Sequence, residues 1–214
     1  MLASIVGALT GPSCLSCTQL LFHSRPLCRR CQKQWPAIGQ GFRSNLFALG
    51  LYQGSLRHLV LRAKEEAMSA PATYLAHRLN QAVTEIPAHG GVFVPVPARL
   101  SRRWRGWSLP HFLARSLSHA KNGDYRPVLG RGIQSQSQSS KTGGQRRAQM
   151  KQQFFLKKTA SPLKTNLSAW LVDDVCTTGA TLAEARRALE CRGWHCHGAV
   201  VLARVDPNQS FLEW

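Results

Sequence analysis

The chain has 214 residues, 43% of them apolar, and its 28 Lys or Arg against 10 Asp or Glu give a formal net charge of +18. This apolar content excludes disorder of the whole chain and predicts one full domain with a small addition. No run of residues reaches the roughly 18 apolar residues that a membrane span needs. The positive charge favours a polyanionic partner, and a role in solubility alone is the alternative.

The chain begins with an apolar segment, residues 1–10, which we expect to form a short helix packed on the body. Because the segment lacks the cationic start of a signal peptide, we expect a cytoplasmic protein, or one peripheral to the inner membrane. Charge is distributed unevenly: no acidic residue precedes Glu65, in a stretch with eight Lys or Arg. Residues 87–172 carry fifteen more cations and a single acid, Asp124.

Four cysteines form two Cys-x-x-Cys pairs separated by ten residues: Cys14, Cys17, Cys28 and Cys31. A two-residue spacer lets one tight turn point both sulfurs at the same ion, and two such turns complete the tetrahedral shell of a structural zinc. We therefore predict a compact zinc ribbon, with disulfides as the alternative. Cys176, Cys191 and Cys196 fit no ligand pattern and are expected to be small hydrophobic residues, although a helix N-terminus near Cys176 would make that thiol reactive.

After the cysteines, the sequence alternates between strand-like and helix-like segments, which predicts an α/β domain. We predict strands over 47–52, 91–97, 169–172 and 197–204 and helices over 55–67, 73–83, 108–119 and 181–192. Ser108 is the expected cap of the third helix, with Pro110 in its first turn. Residues 131–153 are rich in Gln, Ser, Gly and cations, and we expect a mobile loop there with a short helix over 142–150.

The last predicted unit is a strand, a helix and a strand, an order that implies a right-handed parallel crossover. Asp173 and Asp174 follow the apolar strand directly, at the end where open α/β sheets bind ligands. There the two carboxylates would accept hydrogen bonds from sugar hydroxyls, directly or through Mg²⁺. Thr181 and Glu184 are expected to form a capping box, and Gly193 to end the helix.

The turn between that strand and helix contains Thr177, Thr178, Gly179, Ala180 and Thr181. Free backbone amides and the positive end of the helix dipole favour a phosphate there, and Gly179 lets the backbone approach it closely. The three threonine hydroxyls can donate further hydrogen bonds. A purely structural role, with acids that cap and threonines that turn, is the alternative.

This order of apolar strand, acid pair and Thr-Thr-Gly-x-Thr turn resembles the phosphoribosyl pyrophosphate signature of type I phosphoribosyltransferases. The whole chain resembles the ComF family (ComFC or GntX-like proteins). The paired cysteines, a strand ending at Val94 to Pro97 and the step Arg105-Gly106-Trp107 occur in the family's order. Further matches to the family's spacing are Arg131, Gln138, Arg146 and Phe154.

The resemblance implies a type I phosphoribosyltransferase-like fold, a mostly parallel sheet flanked by helices, with a small N-terminal zinc ribbon. The N-terminal helix and ribbon would span 1–42, and the phosphoribosyltransferase-like domain 43–214. Thr177 to Thr181 would hold the 5-phosphate of phosphoribosyl pyrophosphate, and Asp173 and Asp174 its ribose hydroxyls or Mg²⁺. The turn from Val96 to Arg99, with Pro97 and Arg99, would meet the pyrophosphate, and loop 131–153 would close over the site.

The sequence departs from the family at several positions. Ser108-Leu109 stands where the family has Asn-Gln, Gln149 where it has Asn, and Lys64 lacks the aromatic residue that commonly follows. These departures affect the details of the pocket and not the fold.

Three functions are consistent with the sequence. The first is a ComF-like accessory protein of DNA uptake and natural competence that binds phosphoribosyl pyrophosphate and single-stranded DNA. Its support is the cationic excess together with Trp35, Trp104 and Trp107, which could stack bases or could be core anchors. The second is an active phosphoribosyltransferase with an unknown acceptor, for which no base-recognising segment follows Arg204. The third is a zinc-ribbon adaptor that docks a DNA-processing partner such as a helicase.

Overall fold

A computed structural model describes residues 12–22, 25–35, 42–43, 45–84, 86, 91–98, 106–132, 154–160 and 167–205. Its helices are α1 Arg29–Lys33, α2 Gly54–Ala63, α3 Ala70–Ala82, α4 Leu109–Ala120 and α5 Ala180–Glu190. Its strands are β1 Phe42–Arg43, β2 Leu46–Leu51, β3 Gly91–Pro95, β4 Asp124–Tyr125, β5 Leu129–Arg131, β6 Phe154–Leu156, β7 Ser168–Cys176 and β8 Cys196–Arg204. The expected helices over 1–10 and 142–150, and loop residues 133–153, lie outside the described residues.

Six strands form one sheet in the order β1-β2-β8-β7-β3-β4. The pairs from β2 through to β4 are all parallel, and only β1, at one edge, pairs in an antiparallel sense. Strands β5 and β6 form a separate antiparallel pair. The predicted mostly parallel sheet is therefore confirmed, including the parallel β7–α5–β8 unit.

Helices cover both faces of this sheet, as parallel sheets require. On one face, Val172 and Val200 pack with α2, α3 and α4 in a single buried cluster. On the other face, Leu171 and Val201 pack with α5 and with the β5–β6 pair. Neighbouring residues of β7 and β8 thus serve opposite faces, because side chains alternate along a strand.

The helices follow the predicted apolar stripes, with shifted ends. Helix α2 buries Leu56, Leu59, Val60 and Ala63 as expected but ends at Ala63. Helix α3 begins earlier than predicted, because the Ser69 hydroxyl accepts a hydrogen bond from the amide of Ala72 and so caps the first turn.

Helix α4 carries Pro110 in its first turn as expected, but the predicted capping role of Ser108 is wrong. Ser108 occupies the cap position with an extended backbone, and its side chain makes no capping hydrogen bond. Its buried hydroxyl has no hydrogen-bond partner among the described residues. Local sequence placed the residue correctly, and the direction of its side chain is set by tertiary packing instead.

The cysteine-containing segment packs directly against α2. Arg62 donates a 2.7 Å hydrogen bond to the carbonyl of Leu15, and the Ser16 hydroxyl donates to the carbonyl of Ser55 at 3.4 Å. Leu21 and Leu27 share a buried cluster with the leucines of α2. The described part of this segment therefore has a common core with the sheet's helices, and the domain boundary between 42 and 43 stays a prediction. Across the described ranges, every helix is too short or too polar to cross a bilayer.

Candidate functional site

The four cysteines of the predicted zinc ribbon converge on one point. Their sulfur atoms all lie within 4.8 Å of one another. The sulfurs of Cys17 and Cys28 are 3.7 Å apart, and a tetrahedral shell with Zn–S bonds of about 2.3 Å has sulfur–sulfur edges of roughly 3.8 Å. All seven cysteines are free thiols, which argues against the disulfide alternative. The cluster can therefore hold a metal ion such as zinc.

Backbone amides around the cluster suit thiolate ligands. The amide of Cys28 donates to the sulfur of Cys14 at 3.3 Å, and that of Cys31 donates to the sulfur of Cys28 at 3.5 Å. Burial alone would raise the pKa of Cys14, but backbone N–H groups, first those of Cys17 and Cys28, lower it to about 6. Burial raises the pKa of Cys31 to about 12. Since N–H donors to sulfur stabilise the charged form that a metal binds, these residues fit a structural zinc.

The acid pair lies inside β7 and not beyond its end. The prediction that the strand stops at Val172 is wrong, since β7 continues to Cys176. The reason is that β8 runs alongside and supplies parallel backbone partners, with Asp173 opposite Val201 and Cys176 opposite Arg204. Both acids still lie in the last residues of β7, at the carboxyl edge of the sheet.

Asp174 is held by a lysine that the sequence analysis did not assign to the site. The Lys64 ammonium lies 2.7 Å from a carboxylate oxygen of Asp174, and the side chains are only 18% and 16% exposed, respectively. Lys64 directly follows Ala63, the last residue of α2, and α2 packs on the same face of the sheet as Val172, two residues before Asp174. A partial signal was available, because Lys64 lies in the helix predicted over 55–67 and is one of the positions at which the chain departs from the ComF pattern.

Asp173 is in a different electrostatic state. Burial, and then the neighbouring charge of Asp174, raise the pKa of Asp173 to about 8. The amide of Asp174, which donates to Asp173 at 2.8 Å, and the cations Lys64 and Arg131 oppose this rise. Asp173 therefore carries a proton at neutral pH and can donate a hydrogen bond as well as accept one.

The threonine turn presents backbone amides without a side-chain cap. Thr177 and Thr178 are exposed, and Gly179 caps α5 with a left-handed φ of 75°, a conformation that favours glycine. The predicted capping box of Thr181 and Glu184 is wrong. Helix α5 begins at Ala180, and Glu184 instead accepts two hydrogen bonds of 2.8 Å from Arg187. The first turn has no acidic residue, and Gly179 provides no side-chain cap. The amide of Ala180 donates to the Thr178 hydroxyl at 3.4 Å, an exposed contact that an anion could replace.

The C-terminal end of α5 has the glycine stop that the sequence predicts. Gly193 has a left-handed φ of 73° just beyond the helix, as expected of a glycine that ends it. The amide of Trp194 then donates back to the carbonyl of Leu189 at 3.2 Å.

The predicted pyrophosphate turn is described only in part. Pro97 follows β3, whose residue Pro95 lies opposite Val172 of β7, so the two strands end at the same edge. The Pro97 carbonyl accepts a hydrogen bond from Arg131 at 3.4 Å. Arg99 lies outside the described residues.

A small pocket of about 190 Å³ lies where these elements meet. Its lining includes Lys64, Asp174, Ala98, Trp107 and Ser108. The structure thus brings Asp174 to the turn after β3, while the described lining of this pocket does not include Asp173 or the threonine turn.

No family model and no curated protein sequence matches the chain. Among solved structures, the chain is similar to an orotate phosphoribosyltransferase from Aeropyrum pernix, with 16% identity and a TM-score of 0.39, over 63% of this chain and 60% of that one. It is also similar to an adenine phosphoribosyl transferase from Trypanosoma brucei, solved with AMP, pyrophosphate and ribose-5-phosphate, with 10% identity and a TM-score of 0.40. That similarity covers 80% of this chain and 90% of the other.

Strand order and cysteine geometry define the class of protein. The chain is an α/β protein with a mostly parallel sheet between helices and an N-terminal four-cysteine unit that can hold zinc, as expected from the sequence. Membership in the ComF family stays a prediction.

Proposed function

We propose that this chain is a phosphoribosyltransferase-like protein that binds phosphoribosyl pyrophosphate at the carboxyl edge of its sheet. One observation carries the proposal: β7 leads from an acid pair, through a threonine turn, into the first turn of α5, which follows the cap residue Gly179 and contains no carboxylate. We call Asp173, Asp174 and residues 177–181 the acid–threonine edge. It offers backbone amides to a phosphate and carboxyl groups to sugar hydroxyls within one short segment.

The residues of the acid–threonine edge would divide the ligand between them. The turn from Thr177 to Thr181 would hold the 5-phosphate, and Asp173 and Asp174 the ribose hydroxyls. Pro97 and Arg99 would lie towards the pyrophosphate, and Lys64, already beside Asp174, supplies a further cation there. Catalysis in such a site rests on placement of the reactants and on stabilisation of the leaving charge.

The acid pair also fits Mg²⁺, which proteins commonly bind through one or two carboxylates together with substrate phosphates. When bound, the ion would neutralise charge on the pyrophosphate. Binding would require Asp173 to lose its proton and Asp174 to exchange part of its contact with Lys64.

Calorimetric titration of phosphoribosyl pyrophosphate, with and without Mg²⁺, tests this proposal. We expect Asp174→Asn to weaken binding at least about tenfold, equivalent to about 1.4 kcal/mol, because it removes a charged acceptor. Asp124→Asn is the matched control, since Asp124 lies in β4 and not in β7, and it forms an exposed pair with Arg126. Absence of binding to the unmodified protein would overturn the proposal. If turnover occurs, Asp174→Asn should also abolish pyrophosphate release.

The finer proposal is a ComF-like role in DNA uptake and competence, with single-stranded DNA as a second ligand. Charge favours it: the formal net charge is +18, and α1 exposes Arg29, Arg30 and Lys33 beside the cysteine cluster. Stacking on tryptophan has less support. Trp35 packs edge-on against Tyr74, and Trp107 donates a 2.9 Å hydrogen bond to the carbonyl of Ala63, as core anchors do.

Anisotropy of a labelled oligothymidylate, measured over a series of salt concentrations, tests DNA binding. Affinity should fall steeply with salt, because phosphate contacts release counterions. Replacing Arg29, Arg30 and Lys33 together by Gln should flatten that slope by about 2, since each phosphate contact with a single strand contributes about 0.7. A slope near zero in the unmodified protein would contradict DNA binding.

An adaptor function has one observation in its favour. Leu20 and Phe22 of the cysteine unit are 58% and 104% exposed, and exposed apolar side chains mark contact surfaces when they cluster. An adaptor would bind a DNA-processing protein there, with little affinity for DNA itself.

A further inference from the structure

A second, larger cleft lies beside the acid–threonine edge. It has a volume of about 550 Å³, which is within the usual range of about 300–1,000 Å³ for sites that bind small molecules. Its walls come from the turn after β3, the start of α4, strand β4 and the β5–β6 pair. We call it the α4–hairpin cleft.

Flat aromatic side chains form the walls of the α4–hairpin cleft. Trp107, Phe112 and Tyr125 line it, and each is only partly buried. The rings of Trp107 and Phe112 are 5.4 Å apart, and the hydrogen bond from Trp107 to the carbonyl of Ala63 fixes the indole. Partly open aromatic faces on a fixed wall suit a planar ring.

The remaining polar lining is basic. Arg115, Arg131 and Lys157 all line the cleft, and the Arg115 guanidinium lies 5.1 Å from the centre of the Tyr125 ring. The described lining contains no carboxylate. Such a lining concentrates positive potential in a concave site and so favours an anionic ligand.

A hydrogen-bonding pair lies between these cations. The Nδ1 of His111 is 2.7 Å from the Tyr125 hydroxyl, and both residues line the cleft. Burial, and then the charges of Lys157 and Arg115, lower the pKa of His111. Because Nδ1 already contacts the Tyr125 hydroxyl, Nε2 is the ring nitrogen that remains for a polar atom of a ligand.

The position of the cleft connects it with the sugar site. Ala98, Trp107 and Ser108 line both the α4–hairpin cleft and the small pocket that contains Lys64 and Asp174. A ring in the cleft would therefore lie next to the place proposed for the ribose.

We propose that the α4–hairpin cleft binds a small aromatic carboxylic acid, with the ring against Trp107 and the carboxylate near Arg115 and Lys157. The second part of this proposal rests on the proposed function: this acid is the acceptor of the phosphoribosyl group. A ring nitrogen would form the new bond to the anomeric carbon while the bond to the pyrophosphate oxygen breaks. Pyrophosphate leaves with the electron pair, and any hydrogen on that nitrogen passes to water.

The binding step is tested without phosphoribosyl pyrophosphate, by calorimetry or ligand-observed NMR. The probes are two aromatic acids, orotate and nicotinate, each compared with its uncharged counterpart, uracil and nicotinamide. We expect at least one acid to bind about tenfold or more tightly than its counterpart. Equal affinity within both pairs, or no binding by either acid, would overturn the proposal.

Variants locate the site. Arg115→Gln and Lys157→Gln should each weaken acid binding at least about threefold, through loss of one charged contact. Lys158→Gln is the matched control, because Lys158 follows Lys157, is equally exposed and does not line the cleft. An equal loss in Lys158→Gln would mean attraction to general positive charge and would overturn the proposed site.

Competition assigns the class of ligand. If an oligothymidylate or inorganic phosphate displaces the acid and binds more tightly, the cleft is a nucleic-acid or phosphate site and the proposal is wrong. Titration of phosphoribosyl pyrophosphate into Arg115→Gln should match the unmodified protein. Failure of that sugar ligand to bind at all, with acid binding intact, would refute the acceptor role and the proposed function but not the cleft as a binding site.

Discussion

The cysteine unit and the acid–threonine edge differ in how their polar groups are satisfied. In the cysteine unit, sulfurs within 4.8 Å of one another receive backbone N–H donors, and three of the four cysteines are buried. At the acid–threonine edge, the pKa of Asp173 is raised, Asp174 is paired with Lys64, and the start of α5 has only an exposed contact between the Thr178 hydroxyl and the amide of Ala180. The first arrangement can enclose a structural ion on all sides, whereas the second is open at one edge and suits an exchangeable ligand.

The largest effect should come from the closed site. Cys31→Ser removes a buried sulfur from the cluster, and we expect loss of bound metal and destabilisation by about 3–5 kcal/mol, or roughly 10 °C in melting temperature. Metal analysis and calorimetric melting measure the two effects. Cys191→Ser, at an exposed free thiol, is the control and should change neither. An unchanged melting temperature in Cys31→Ser would remove the distinction between the two regions.

At the open edge, the largest change should follow loss of the lysine partner. Lys64→Met leaves the mostly buried carboxylate of Asp174 beside Asp173 without its cation, and we expect destabilisation by about 2 kcal/mol at pH 7. Arg126→Met breaks an exposed pair with Asp124 and should cost at most about 0.5 kcal/mol. Urea unfolding compares the two variants, and equal losses would contradict the buried character of the Lys64 pair.

The protonated acid gives the open edge a pH dependence. Because the pKa of Asp173 is raised from 3.8 to about 8 in the folded protein, the folded state holds a proton that the unfolded chain releases over this interval. Stability contributed by this group is therefore present at low pH and is lost as pH rises from about 4 to 8.

Asp173→Asn should remove that loss. We expect the variant to match the unmodified protein at pH 5 and to be more stable by about 1–2 kcal/mol at pH 8.5, an amount reduced because the side chain is partly open to solvent. Urea unfolding at both pH values measures it, with Asp124→Asn as an exposed control. A gain at pH 5 equal to that at pH 8.5 would contradict the raised pKa.

The smallest expected effect on stability concerns the glycines beside the two ends of α5. Gly179→Ala and Gly193→Ala each force a side chain into a left-handed backbone conformation, at a cost of about 1 kcal/mol. Gly179 lies at the N-terminal end of α5, which is the end proposed to bind phosphate, whereas Gly193 lies beyond the C-terminal end. Gly179→Ala should therefore also weaken binding of phosphoribosyl pyrophosphate, while Gly193→Ala should not, and equal affinities would argue against the turn as the phosphate site.

Much of the fold follows from local sequence patterns. The apolar stripe of α2, the short strand after Gly91 and the glycine stop at Gly193 all have the predicted character, since period and turn chemistry act over a few residues. The cysteine spacing likewise predicted a cluster that the structure forms. The extra residues of β7 were missed because their pairing depends on β8, which the local pattern of β7 does not contain.

The parts of the site that depend on distant residues were not predictable in the same way. Lys64 meets Asp174 because it follows α2, which packs on β2 and β8 of the sheet, and the sequence places the two residues far apart. The α4–hairpin cleft joins His111, Tyr125 and Lys157 from three different elements. The predictions of two helix caps were wrong for a related reason. Ser108 and Glu184 have residue types that commonly cap helices, but Ser108 makes no capping hydrogen bond and Glu184 pairs with Arg187 instead.

Helix α2 touches both of the contrasted regions. Near its start, the carbonyl of Ser55 accepts a hydrogen bond from the cysteine unit. Near its end, Arg62 donates a hydrogen bond to that unit, and Lys64, two residues further on, pairs with Asp174. A rigid helix transmits a displacement at one end to the other, so removal of the metal should shift the ammonium away from Asp174. Loss of a metal from the cysteine cluster would then weaken the proposed binding of a sugar phosphate, although the two sites share no ligand.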